Sequence, residues 1–238
     1  MSHNWFEITQ LPSRIFQIRE PGLGPLHSSH SWLIIGNDKA LLIDTCVGIV
    51  PLLPFVKSLT SLPIICLLSH SHYDHIGGAH EFADRRMHPA EMEIMCNPTA
   101  ELTLWGGWLN IGSFNFLPTP NYDFSNYAIK PAPPSALLYD GDEINLGGRQ
   151  LQILHVPGHS PGLLAVFDPE IGALFSTDAL YQGEMFFDLR GSDKTAARHS
   201  IRRLINLGAQ ILYPGHNAIL QSDEIAEVGR LQLIRLND

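Results

Sequence analysis

The stretch SHSHYDHIGG, residues 69–78, places three histidines and an aspartate (His70, His72, His75 and Asp74) within six positions. A buried apolar core has no use for that composition. A solvated loop has no reason to be followed at once by Gly77-Gly78 and a helix-like run. The five residues before it, IICLL at 64–68, form a short continuous apolar run of the length expected for a buried strand. The chain therefore passes from a strand directly into a cluster of ligating side chains. In extended backbone the side chains alternate, so His70 and His72 project to the same side. A turn at Tyr73 brings Asp74 and His75 into the same space from the start of the next helix. Neutral imidazole and carboxylate hold Zn²⁺ and similar divalent ions, and four such groups in six residues could serve two adjacent ions.

Matching contexts recur further along. HVPGHSPG sets His159 in a Pro-Gly turn just past an expected strand, STDALY sets Asp178 past another, and YPGHN sets His216 past a third. Sites built on a rigid scaffold commonly take their residues from such strand ends. The remaining histidines carry less weight. Isolated ones such as His3, His80 and His199 read as surface or packing residues, and His155 as structural.

The same patterns outline the rest of the molecule. Short strands are expected over 6–11, 15–19, 32–35 and 40–43, the last two joined by the hairpin Gly36-Asn37-Asp38-Lys39. Helices are expected over 51–58, 77–84 and 89–96, then strands over 144–146, 151–156, 163–167, 173–176 and 211–213. Ser192 reads as the cap of a helix with Ala197, Ile201, Leu204 and Ile205 on one face, ended by Gly208. A last helix spans 222–236. ALLIDT at 40–45 and ALFSTD at 173–178 echo one another, each an apolar run ending in a carboxylate. The order indicates a mixed α/β fold in two similar halves.

At 238 residues, with 45% apolar and 16% charged side chains, the chain can bury a sizeable core, and no compositional break marks a linker. The formal net charge of −9 argues against nucleic acid or an anionic membrane as the main partner. Three cysteines without framework spacing (Cys46, Cys66 and Cys96) read as reduced thiols. The opening MSHNWFEITQ has no basic-then-apolar leader, and no stretch approaches the roughly 20 apolar residues of a membrane span. A cytoplasmic location is expected.

His70-Ser71-His72-Tyr73-Asp74-His75 resembles the H-x-H-x-D-H signature of the metallo-β-lactamase superfamily of dinuclear metallohydrolases. Asp44, His159, Asp178 and His216 fall in the order and contexts of its other signature positions, so the resemblance covers roughly residues 5–236. It implies a four-layer αββα sandwich comprising residues 1–238 as a single domain, with the metals at one edge of the sheets. It further implies one ion at His70, His72 and His159, a second at Asp74, His75 and His216, Asp178 bridging them, and Asp44 orienting a ligand without touching metal. Zinc is favoured, while manganese, iron or cobalt suit the same nitrogen and oxygen donors. A water held between two such ions is hydroxide near neutral pH, so no serine or cysteine nucleophile is required.

A bridging aspartate is as a rule missing from the antibiotic-degrading branch, which argues against β-lactam hydrolysis. Asp178-Ala179-Leu180-Tyr181 is similar to a D-x-x-Y element of acyl-homoserine lactonases and of acyl-CoA thioesterase-like members, where the tyrosine reaches the substrate carbonyl. YDGDEINLGG and LHVPGHSPG look closer to the thioesterase-like group. The expected activity is hydrolysis of an activated carbonyl in a small acyl substrate (thioester, lactone or ester), with Asp74, Asp178 and Tyr181 in catalytic roles. Homoserine-lactone hydrolysis, phosphodiester or nucleic-acid cleavage, and an iron-dependent persulfide-type oxygenase are the alternatives. Residues 97–135, rich in Pro, Gly and aromatics, read as an arm. Trp105 and Trp108 from it, with Met185, Phe186 and Phe187, could line an acyl trough. Otherwise the arm packs on the body or makes a homodimer contact. Arg198, Arg202 and Arg203 either meet coenzyme A phosphates or form a solvated helix face.

Overall fold

A computed structural model describes residues 4–236, so His3 lies outside the described residues. The first sheet has seven strands in chain order: β1 (Glu7–Leu11), β2 (Ile15–Arg19), β3 (Ser31–Ile35), β4 (Ala40–Ile43), β5 (Ile64–Leu67), β6 (Asp84–Met87) and β7 (Ala136–Leu137). The first four form an antiparallel meander, and from β4 to β7 neighbours run parallel. The second sheet has six: β8 (Glu143–Asn145), β9 (Gln150–His155), β10 (Leu164–Asp168), β11 (Ala173–Thr177), β12 (Ile211–Pro214) and β13 (Leu220–Gln221). Among the described residues, only β11 and β12 run parallel there. The echo between ALLIDT and ALFSTD thus has a structural counterpart. Each run is a strand, β4 or β11, with a parallel neighbour at its side.

Period-two alternation sorts each strand between two cores. Trp32, Ile34, Leu41, Ile43, Ile65 and Leu67 point toward the second sheet, where they meet Leu151, Ile153, Val166, Phe175 and Tyr213. Leu33, Leu42, Cys66 and Leu68 point the other way, onto Val56 of α1 (Leu53–Leu59), the single turn α2 (Tyr73–Ile76) and α3 (Met92–Cys96). α4 (Trp105–Trp108) lies further out on that side. Across the molecule, Leu154, Ala165, Leu174 and Leu212 pack on α5 (Lys194–Ile205) and α6 (Ser222–Arg235). With both sheet faces covered, the central strands are apolar throughout, which is why they read as continuous runs. The result is the four-layer αββα sandwich.

Two local expectations are corrected. The helix expected over 77–84 is instead the turn α2, starting at Tyr73, then a 3-10 turn and strand β6, whose sequence Asp-Arg-Arg-Met carries no strand period. Helix α5 is capped not by Ser192 but by Asp193, which accepts from Thr195 N and Ala196 N. The Ser192 hydroxyl donates to His159 O at 2.8 Å instead. The arm packs on the body. Tyr127 Oη donates to Val47 O at 2.9 Å, Asn115 Nδ2 donates to Leu23 O at 2.8 Å, and its aromatics extend the outer core of the first sheet.

Candidate metal centre

All seven expected ligands come together along one edge of the sandwich. His70 and His72 follow β5, Asp74 and His75 sit on α2, His159 lies in the turn between β9 and β10, Asp178 follows β11, and His216 follows β12. Backbone permits this convergence at two tight points. A side chain at Gly215 would collide with Asp178 Oδ1, and one at Gly77 with Val47 O. Asp44 (φ +63°) and Thr177 (φ +47°), each at the end of a strand leading to the site, occupy the left-handed region that a β-branched residue rarely adopts.

Among the described residues, three groups of donor atoms lie close enough to share an ion: His70, His72 and His159; His70, His75 and Asp178; and Asp74, His75 and His216. In the first group His72 Nδ1 stands 3.1 Å from His70 Nε2 and 2.9 Å from His159 Nε2. The other nitrogen of His159 faces Phe186 O at 2.9 Å, which suits a proton on Nδ1 and leaves the Nε2 lone pair directed inward. Asp178 reaches the first and the third group, with Oδ1 3.5 Å from His75 Nε2 and Oδ2 3.5 Å from His159 Nε2 and 3.6 Å from His216 Nε2. Asp74 Oδ2 stands 3.3 Å from His216 Nε2. Asp44 lies behind the cluster, 2.7 Å from His75 Nδ1, and accepts from Ser69 N and Ser69 Oγ, each at 2.8 Å.

The electrostatics differ between the two sets. Burial, then neighbouring histidines, holds His70 well below the ordinary histidine range and His72 at about 3, so both present neutral imidazole. Burial acts the same way on His216, but Asp178 and Asp74 outweigh it and push the group to about 9. Burial raises and the histidines lower the Asp178 carboxyl, and the histidines win, holding it well below the usual carboxylate range. Three buried carboxylates (Asp44, Asp74 and Asp178) demand nearby positive charge. His75 Nε2 and Asp178 Oδ1 are buried and have no hydrogen-bond partner among the described residues. Inward lone pairs, unpartnered buried donor atoms and excess negative charge fit divalent cations.

The centre opens into a cleft of about 240 Å³ whose lining includes His72, Asp74, His159, Asp178, Tyr181 and His216. Its apolar walls are Leu26, Leu104, Trp108, Phe186 and Leu189. Trp108 and Phe186 meet edge to face with ring centroids 5.2 Å apart. Trp105 does not line this cleft; it packs on Tyr127, centroids 5.3 Å apart. Met185 and Phe187 turn toward the α5–α6 side, as alternation about Phe186 requires. Leu26, Leu104 and Leu189 carry no signal in the sequence, being single apolar residues in loops without periodicity. Arg198 donates to Leu236 O and Arg203 to Asp140, and neither reaches the cleft. His155 donates its backbone N–H to Asp140, and its ring meets Pro161 O.

Two mixed sheets faced by helices, with clustered histidines and aspartates at their shared edge, define a metallo-β-lactamase fold. The family model of the metallo-beta-lactamase superfamily matches residues 24–216, and the chain belongs to that superfamily. It is 30% identical over 225 residues (89% of this chain, 80% of the relative) to a Gallus gallus protein named acyl-coenzyme A thioesterase MBLAC2. Its Homo sapiens namesake is 29% identical over 228 residues, covering 89% and 81%. Among solved structures, a metallo-beta-lactamase from Pontibacter korlensis superposes with a TM-score of 0.73 at 17% identity, covering 98% of this chain and 99% of that one. TTHA1623, solved in a di-iron-bound form, gives 0.61 at 28% identity, covering 87% and 96%. Among the described residues, no helix is long and apolar enough to cross a membrane.

Proposed function

We propose that this protein is a metal-dependent hydrolase of acyl-coenzyme A thioesters, with two divalent ions in the sets His70-His72-His159 and Asp74-His75-His216 and Asp178 between them. The observation that carries the reading is the way Asp178 faces both sets at the floor of a cleft walled by Leu26, Trp108, Phe186 and Leu189. The cleft offers an acyl chain apolar surface up to the edge of a polar, ligand-rich floor. Relatives named acyl-coenzyme A thioesterases favour the thioester over the lactone. The di-iron form of TTHA1623 supports paired ions and keeps iron beside zinc as the metal.

Divalent ions so held would supply Lewis acidity and a water-derived nucleophile at neutral pH. The chain's own groups do the rest. Asp178 is ionised at neutral pH, so a carboxylate oxygen can take the proton released as water adds to the carbonyl carbon. The same group can return that proton to the sulfur as the carbon–sulfur bond breaks. Burial and the nearby carboxylates hold the Tyr181 hydroxyl above its ordinary range, so it stays protonated and can donate to the carbonyl oxygen as negative charge develops there. Trp108 and Phe186 hold the acyl chain and exclude water from the floor.

The test is kcat/KM on zinc-loaded protein for long-chain acyl-coenzyme A against N-acyl homoserine lactones, with metal content measured on the same sample. A strong thioester preference with two ions supports the reading, and a lactone preference replaces it with the lactonase. Salt-steep RNA affinity would turn attention to phosphodiester cleavage. A single iron with a characteristic electron paramagnetic resonance spectrum would favour the persulfide-type oxygenase.

A further inference from the structure

Glu91 is 1% exposed, yet the reaction above makes no use of it. It closes the 3-10 turn Pro89–Glu91 just after β6. Its Oε2 accepts the backbone N–H of Ser71 at 2.5 Å, and its Oε1 accepts that of Gly162 at 2.8 Å. Ser71 is the residue between His70 and His72, in the loop leaving the first sheet. Gly162 lies three residues past His159, in the turn between β9 and β10 of the second sheet. One buried carboxylate therefore ties together the two loops that carry the three-histidine set. Beside it, Leu164 N donates to Ser69 O at 2.9 Å, a second bond across the same seam.

We propose that Glu91 is a positioning residue that sets the separation of His70 and His72 from His159, and through it the affinity of that set for a divalent ion. The inference rests on the metal reading above. A carboxylate suits the task because it presents two acceptor oxygens and no donor. Glutamine would turn an NH₂ toward one of two buried N–H groups, and aspartate is a methylene shorter. Space is equally restricted, since a Cβ on Gly162 would approach Glu91 Cγ at 3.0 Å. The other ligand set is anchored elsewhere. Asp44 faces His75, Ser29 Oγ donates to Asp74 O at 2.5 Å, and Thr45 N donates to His75 O at 2.7 Å. Loss of Glu91 should accordingly affect one set and spare the other.

The experiment is Zn²⁺ competition titration against a chromophoric chelator on full-length protein, in two backgrounds. His216→Ala cripples the aspartate-containing set, and His159→Ala cripples the three-histidine set. Glu91→Gln and Gly162→Ala disturb the same contact from its two sides. Each is expected to weaken zinc binding about 10–100-fold in the His216→Ala background, the usual range for a partner that orients a ligand, and to leave binding unchanged in the His159→Ala background. Circular dichroism and urea midpoints on the metal-free variants show whether the comparison is made on folded protein. Equal weakening in both backgrounds, no weakening in either, or failure of both variants to fold would overturn the proposal. Absence of zinc binding with Glu91 and Gly162 intact would instead bring down the metal reading.

Discussion

His75 Nδ1 and Asp44 Oδ2 stand 2.7 Å apart, both side chains fully buried, and the same aspartate accepts from the backbone and hydroxyl of Ser69. On the proposed ligand assignment, Asp44 would orient one ligand directly and a second through Ser69 Oγ, which lies 2.9 Å from His70 Nδ1.

Replacing Asp44 with alanine leaves the Ser69 N–H and the His75 Nδ1 without their acceptor. The expected cost is about 1–3 kcal/mol for each orphaned buried group, together with about a 10–100-fold loss of zinc affinity. Urea denaturation of metal-free protein and a chelator competition read the two effects separately. Wild-type zinc affinity in a stably folded Asp44→Ala protein would assign Asp44 to the fold alone.

Tyr181→Phe removes the hydroxyl proposed to meet the carbonyl oxygen and should keep the packing of the ring, which lies 5.6 Å from that of His216. Turnover of the best acyl-coenzyme A is expected to drop about 10²–10³-fold in kcat, the range for one donor at a developing oxyanion, at unchanged metal content. An unaltered kcat would take Tyr181 out of the mechanism.

Trp108→Ala opens the cleft wall where it meets Phe186. Loss of that contact should raise KM for long-chain thioesters about tenfold, equivalent to about 1.4 kcal/mol, and leave short-chain substrates nearly unaffected. A uniform change across chain lengths would show that Trp108 serves the arm and not the substrate. Trp105→Ala provides the contrast, because its expected effect is on stability.

Glu20, which is not among the proposed ligands, supplies a pH dependence of its own. It is fully buried, and burial pushes its carboxyl from 4.5 to about 7, although it accepts Trp5 Nε1 and Val47 N, each at 2.8 Å. Between those two values the folded protein keeps a proton that the unfolded chain has released. Folding stability should therefore fall as pH rises from about 4.5 through 7, by on the order of 3 kcal/mol from this group. Urea midpoints of wild type and Glu20→Gln, compared across pH 4.5–8, isolate the contribution. Parallel curves would show that another group titrates.

Much of the fold was legible because strand and turn information is local. The hairpin at 36–39 and the runs that became β3, β4, β5, β9, β10 and β11 carry their period and turn residues within a few positions. Strand β6 was not legible, since Asp84 to Arg86 are polar and only the neighbouring β5 and β7 make them a strand. The aromatic arm was legible as a cluster but not in its orientation. Trp105 and Trp108 are three residues apart in one turn, yet one meets Tyr127 and the other the cleft.

The sequence by itself determined which residue types stand at the strand ends, because a ligand followed or preceded by Pro-Gly after an apolar run is a feature of ten neighbouring positions. Tertiary structure alone decided that Asp178 faces both ligand groups, that Asp44 stands behind His75, and that Glu91 holds Ser71 and Gly162. Those contacts join residues 20 to more than 100 positions apart. No local period encodes such a distance, and it is set only when the two sheets close face to face and bury the apolar surface between them.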